Sequence, residues 1–574
     1  MVQFHKRPNV ADIRAMKARG EKISMLYVTT LEEAAAGCRG GCGRCNRRGG
    51  RHGGGKRAAA CALPSLALAL GLSTAALAAD KPADAAKPAE AAKAAPAALF
   101  QPEELASEGS VTVRGSRIDY KAVAVTLVVR PKGWDDAAKP KADDEAAAEA
   151  SMFYTAYFKK GAPAADRPIL FVFNGGPGSS TVWLHMGAFG PRRVVTADGS
   201  HTAPAPYRVV DNAESPLDVA DLVFIDAPGA GFSRIAGKDK EKSFYGIDQD
   251  VYAFADFIKQ FLSKYQRWNS PRYLFGESYG TPRAVALAAK LQSSDAVDLN
   301  GIMLLSVTLA FDFWADAPQW NPGNDLPYIA TLPTYAATAW YHNRVPGGRP
   351  AELEPFLAEA ERFATTDYAA ALIEGNDLSA ERRKAIAEKL ARFTGLSPAY
   401  ILRSNIRVNL GQFNRNLMDE TGQTVGRLDT SFAGPSLDVL SKEADYDPQS
   451  TAISSAYVSA FNDYARGRLG YGAGKAFKLF ADVGDWDLKH TPPGAGSSVE
   501  GAANVLPDLV FAMKTNPTLR VLVLGGYYDT ATPYYEDVVG QIVQTSHDAA
   551  GTVDVQEDAR DVRIVGRRPD VAAQ

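Results

Sequence analysis

Residues 272–291, RYLFGESYGTPRAVALAAKL, run a short apolar strand into Gly276-Glu277-Ser278-Tyr279-Gly280 and then directly into a helix. That succession narrows the fold sharply. A serine at the apex of so tight a strand-to-helix turn is held in a strained backbone, and its neighbours two positions away must be small. Gly276 and Gly280 meet the requirement. The helix that follows places the positive end of its dipole behind Ser278, where negative charge can be stabilised. The bland alternative is a glycine-rich turn with no chemical role.

Further segments read as buried strands: Ile169–Phe173, Leu222–Asp226, Ile302–Ser306 and Arg520–Leu524, beside Tyr273–Phe275 itself. Helical patterns lie between them, notably Asp248–Tyr265 and Pro282–Leu291. Such alternation predicts an α/β protein with a mostly parallel sheet covered by helices on both faces. Residues 312–440 interrupt it with Trp, Pro and Tyr, then with the helical stretches Ala351–Phe363 and Ser379–Phe393, which predicts an inserted helical cap. The strand Ile169–Phe173 ends in NGGPGSS, residues 174–180, whose glycines let backbone N–H groups face an incoming carbonyl oxygen. A phosphate loop is excluded, because G-x-x-x-x-G-K-[ST] is absent.

NGGPGSS, then DLVFIDAPGAGFS, then GESYG, in that order, resemble the three signatures of the serine carboxypeptidase family in its bacterial type, and LRVLVLGGYYDTATPYY fits the same pattern. The resemblance spans roughly residues 105–535 and implies the α/β-hydrolase fold. It also implies removal of C-terminal residues from peptides through an acyl-enzyme on Ser278, with neither metal nor organic cofactor. Esterase or acyltransferase chemistry on the same scaffold is the alternative. Carried over by position, the N–H groups of Gly176 and Tyr279 form the oxyanion hole, and Asn174 and Glu277 hold the substrate's terminal carboxylate. Asp529 lies in a turn-rich loop after an apolar strand. The order serine then aspartate is the one this fold uses for orienting a histidine, although an Asp there can also merely cap a turn.

Two departures stand out. The base must be a histidine after the acid, and only His547 follows Asp529, in QTSHDAAG with no apolar strand before it. The 39 residues from Glu536 to Gln574 contain no Leu, Lys, Phe, Tyr or Trp, a break that resembles GC-rich DNA read out of frame. A tail of that kind predicts loss of the base and of the sheet-edge strand, and hence a catalytically impaired binding protein. Secondly, the family's FELGP segment reads GAFGP here, with Ala188 at the glutamate position and Arg192 and Arg193 after it. Two carboxylates sharing a proton favour acid conditions, whereas an arginine would bind a carboxylate without them. Solvated surface arginines are the alternative.

The N-terminal region follows other rules. Residues 1–57 form an extension with 13 basic against 4 acidic residues, whereas the remainder carries 50 against 62. The basic excess is therefore not on the folded body, which argues against a nucleic-acid partner. PNVADIRAMKARGEKISML, within residues 1–36, resembles the opening of ketopantoate hydroxymethyltransferase, but the likeness ends too early to build a barrel. Residues 58–78 have the basic flank, apolar stretch and Ala76-Leu77-Ala78 site of a secretory signal peptide, which predicts a periplasmic or secreted product without stable membrane association; a membrane anchor is the alternative, since the apolar run approaches the length of a span. Residues 79–104 read as an Ala/Pro linker, 105–535 as the hydrolase domain and 536–574 as the atypical tail. All four cysteines lie at or before Cys61, so the body can have no disulfide. The Cys38-x3-Cys42-x2-Cys45 spacing matches iron–sulfur cluster enzymes but sits in Gly/Arg low-complexity sequence that offers no barrel to enclose a cluster. Peptides are the partners this pattern implies.

Overall fold

A computed structural model of the chain describes residues 99–134, 147–313, 315–498 and 503–536, together with the backbone of 552–558. The N-terminal extension, the signal-like segment and His547 lie outside the described residues.

Three long strands open the fold: β1 (Glu104–Val113), β2 (Ser116–Val129) and β3 (Glu149–Lys159). They pair antiparallel, each with the next. From β4 (Ile169–Phe173) and β5 (Asp221–Ile225) onward the strands are the apolar runs expected from the sequence. β6 (Arg272–Glu277), β7 (Gly301–Leu305) and β8 (Arg520–Gly526) complete that set. The sheet order is β1-β2-β3-β5-β4-β6-β7-β8, with β5 antiparallel to β3 and parallel to β4, and every later pair parallel. Strands β4, β5 and β7 are short apolar runs inside the sheet, as strands covered on both faces must be.

One face is covered by α1 (Ile247–Lys264), α2 (Gly280–Asp295) and a helix at Leu506–Thr515, which share a core with Phe171, Phe173, Val223 and Leu304. The other face packs Leu170, Val172, Leu222 and Phe224 against the helix Pro448–Gly467. This is the α/β-hydrolase architecture expected from the sequence. The insertion builds a core of its own from helices Leu326–Tyr341, Leu353–Phe363 and Ala380–Thr394. Tyr527, Tyr534 and Tyr535, which flank Asp529, belong to that second core rather than to the sheet's.

One expectation is corrected. The C-terminal tail does not leave the sheet edge bare: Thr552–Asp558 forms a ninth strand, β9, parallel to β8, with Val521 opposite Val553 and Val523 opposite Val555. TVDVQED alternates Val with polar residues around Val553 and Val555, the period-two pattern of a half-buried strand, and the lack of Leu and aromatics does not prevent pairing.

Candidate active site

Ser278 sits where β6 ends and α2 begins, with φ of 56°. A non-glycine residue in that left-handed region carries about 1–3 kcal/mol of strain, which the surroundings must hold in place. They do so from three sides. The Ser278 N–H donates to the Leu305 carbonyl at 2.9 Å, and the Ser278 carbonyl accepts from both the N–H and the hydroxyl of Thr281 at 2.8 Å. A Cβ on Gly276 would collide with the Gly280 carbonyl, so the glycine is dictated by close approach. Ser278 itself is left half-buried.

The loop after β4 lies directly against this turn. A Cβ on Gly175 would collide with the Tyr279 backbone nitrogen, so the two segments proposed to supply N–H donors touch. Asn174, 1% exposed, accepts from the Leu184 N–H at 3.1 Å and donates to Glu277 Oε2 at 2.8 Å. The Gly175 N–H points at the same carboxylate oxygen at 3.4 Å. Burial pushes the Glu277 carboxyl up, the two hydrogen bonds pull it down, and the negative charge of Asp529 raises it again. The structure therefore brings Asn174 and Glu277 together as one hydrogen-bonded unit beside Ser278.

Two residues that escaped the sequence reading hold this half of the site from below. Arg283, on the buried face of α2, donates to Asp250 at 2.6 and 3.2 Å, to the Asn174 carbonyl at 2.8 Å and to the Pro177 carbonyl at 3.1 Å. Both ionised side chains are buried, and Phe254 lies 4.4 Å beneath the guanidinium. Burial raises the Asp250 carboxyl and Arg283 opposes that shift. The available signal was an arginine among the Ala and Val residues of an apolar helix, where an unpaired charge is not tolerated.

The acid side is built differently. Asp529, 9% exposed, accepts the N–H groups of Ala531 and Thr532 at 2.9 and 3.1 Å and the Thr532 hydroxyl at 2.8 Å. Burial raises its carboxyl; Thr532, Ser306 and the nearby Arg427 lower it. Its loop is tied to the insertion. Thr530 donates to the Arg427 carbonyl through its N–H at 3.1 Å and its hydroxyl at 2.8 Å, and the Thr430 N–H reaches the Tyr528 carbonyl at 2.8 Å. Arg427 itself is paired with Asp316 through its Nε at 2.6 Å.

The four described histidines are placed elsewhere. His185 is buried, bonds Tyr157 at 2.7 Å and stacks on Phe224; burial lowers it to about 3, so it is a neutral core residue. His342 bonds the Thr430 carbonyl at 2.7 Å, and His201 is exposed. His490, which precedes Asp529 in the chain, is bound between Asp248 and Asp508. Arg192 is paired with Asp211 and the Ser110 carbonyl, while the positive charge of Arg193 partly offsets the burial that raises the Tyr457 phenol. Ala188 packs into the apolar cluster under the sheet. Among the described residues no group of three or more His, Cys, Asp or Glu forms a metal-binding cluster.

Relatives were found among known proteins. The chain is 32% identical over 149 residues to the pheromone-processing carboxypeptidase KEX1 of Yarrowia lipolytica, covering 24% of this chain and 21% of that protein. It is 27% identical over 155 residues to the corresponding kex1 of Schizosaccharomyces pombe, covering 26% and 27%. The chain thus spans about a quarter of the length of the curated relatives it matches. Among solved structures it is similar to the prohormone-processing carboxypeptidase KEX1 of Saccharomyces cerevisiae, with 16% identity, 72% of this chain and 75% of that chain covered, and a TM-score of 0.41. Residues 142–308, which carry the 174–180 loop, the segment around Asp226 and the Ser278 turn, match the serine carboxypeptidase family.

Proposed function

We propose that this chain is a serine-type carboxypeptidase. Ser278 Oγ attacks the last peptide carbonyl of a substrate whose free carboxylate rests on Asn174 and Glu277. The oxyanion accepts from the N–H groups of Gly176 and Tyr279, and the carbonyl re-forms as the C–N bond breaks and the C-terminal amino acid leaves with a proton. Water then cleaves the acyl-enzyme and returns the proton to Ser278. The observation that carries this is the left-handed backbone of Ser278 in direct contact with the 174–176 loop. Asp529 orients the base, for which chain order offers His547. An expected substrate is a peptide with a free C-terminus, and an internal signal-like segment supports export, with a mature N-terminus near Ala79. N-terminal sequencing of exported protein that returns Met1 would reject the latter.

A second reading is favoured by one observation: none of the four described histidines bonds Ser278 or Asp529. A chain without its base would bind peptides and turn them over almost undetectably, roughly 10⁴–10⁶ more slowly than a complete triad. Mass spectrometry of peptides with free or amidated C-termini separates the possibilities. Release of single residues from free C-termini alone, lost in Ser278→Ala, supports a carboxypeptidase. Cleavage of amides or esters instead identifies the alternative acyl chemistry. Binding without release, unchanged in His547→Ala, identifies the impaired form.

A further inference from the structure

Residues 478–491 are absent from every motif read from the sequence, yet they touch the 174–180 loop at Gly178 and Ser180, the Ser278 turn at Tyr279, and the start of α1. At one end Lys478 exchanges backbone hydrogen bonds with Gly231 at 2.7 and 2.9 Å. The Leu479 carbonyl then accepts from the Ser180 N–H at 2.9 Å, and the Ala481 N–H donates to the Gly178 carbonyl at 2.7 Å. Val483 and Ala481 press on Gly178 so closely that a Cβ there would lie 2.6 and 3.0 Å from their side chains. In the middle, the Trp486 indole donates to the Tyr279 hydroxyl at 3.0 Å and meets the Tyr279 ring edge-on at 5.3 Å. The Asp487 carbonyl accepts from the Ile247 N–H at 3.0 Å, which fixes the segment to the start of α1.

The other end is held by charge. His490, 6% exposed, places Nδ1 2.7 Å from Asp248 Oδ1 and Nε2 2.8 Å from Asp508 Oδ2. A carboxylate can only accept, so both ring nitrogens must carry protons and the ring is an imidazolium. Asp248 comes from α1 and Asp508 from the helix Leu506–Thr515; among the described residues Lys132, 3.9 Å from Asp248, and the Tyr279 phenol, raised by burial and further by the Asp248 charge, also face the group. Burial alone lowers His490, but the two carboxylates outweigh it and raise the ring to about 9.

We propose that residues 478–490 form a clasp that positions the two oxyanion donors, with Trp486 and His490 as positioning residues and the imidazolium bridge between Asp248 and Asp508 as its latch. Through the clasp, Gly178 and Ser180 on one donor loop and Tyr279 on the other are fixed to a single segment, so their separation cannot drift. Loss of the His490 proton removes one of its two hydrogen bonds and the charge that drew the carboxylates together, and the clasp loosens. The role assigned to the donors rests on the proposed function; the clasp's mechanical coupling to their loops does not.

The test is hydrogen exchange on the full-length chain, read beside the rate of fluorophosphonate labelling of Ser278. At pH 7, His490→Gln should raise exchange about tenfold in residues 478–490 and also in 174–181, with the helix segments 251–262 and 284–291 unchanged. In the natural chain, exchange corrected for its intrinsic pH dependence should rise in the same two segments as pH passes about 9, a step absent from His490→Gln. Trp486→Phe keeps an aromatic ring but removes the hydrogen bond to Tyr279, and should loosen 174–181 about threefold; it and the natural chain's pH titration serve if His490→Gln does not fold. Loosening of 478–490 with 174–181 unmoved overturns the coupling, and a uniform rise reduces His490 to a general stability role. The selective pattern together with an unlabelled Ser278 in the natural chain leaves the clasp standing and removes the proposed function.

Discussion

The nucleophile side and the acid side of this site are held by opposite means. Ser278, Gly176 and Tyr279 are enclosed by the sheet, by the buried Arg283–Asp250 pair and by segment 478–491. Asp529 instead hangs from the end of β8 and is fixed by its own turn and by Arg427 and Thr430 of the insertion, whose core also takes up Tyr527, Tyr534 and Tyr535. In the proposed function the first arrangement holds the donors for developing charge, and its contacts tie the 174–180 loop and the Ser278 turn together. In the second, the acid's position depends on how the insertion packs, so changes there should act on catalysis through ionisation rather than through loss of the fold.

The largest effect that would sharpen this contrast is at the nucleophile. Ser278→Ala should lower peptide release by about 10⁴-fold or more, if the base is present, with the melting temperature nearly unchanged. Ser278→Gly should be equally inactive yet more stable by about 1 kcal/mol in denaturant unfolding, because glycine relieves the left-handed strain. No gain in stability would show that the turn is not strained.

Next comes the support beneath the cradle. Arg283→Met leaves Asp250 buried without its partner and should cost about 3–5 kcal/mol. Adding Asp250→Leu should restore most of that stability, since two apolar groups can replace a buried pair. Turnover should stay depressed, because the Asn174 and Pro177 carbonyls still lack their donor. Full recovery of turnover in the double variant would make the pair a matter of stability alone.

The smallest effect is expected on the acid side. Arg427 is half-buried and paired with Asp316, so Arg427→Gln should change stability by less than about 1 kcal/mol. It should nevertheless raise the Asp529 carboxyl, because Arg427 is one of the groups that lowers it. The proposed reaction needs the carboxylate, so the acid limb of the pH–rate profile should move to higher pH. A limb that stays in place would uncouple the insertion from the acid.

The parts of this architecture visible in the sequence were those written into contiguous residues. Apolar runs became β4 to β8, and G-x-S-x-G became the Ser278 turn because its glycines answer to contacts within a few residues. The antiparallel strands β1 to β3 were missed, since their polar and apolar positions mix with linker-like sequence. The pairings of Arg283 with Asp250, of Trp486 and of His490 are hidden for a different reason: Trp486 reaches its partner 207 positions away and His490 reaches Asp248 across 242, and no local pattern encodes such pairings. The strand at Thr552–Asp558 is written in the alternation of Val553 and Val555 with polar residues, which the tail's lack of Leu and aromatics obscures.

The claim that Ser278 is the nucleophile of a pre-formed oxyanion cradle is tested most directly by mapping a fluorophosphonate adduct on the full-length chain. The adduct should appear on Ser278 alone and vanish in Ser278→Ala. An adduct on Ser179 or Ser180 that survives in Ser278→Ala would contradict the assignment.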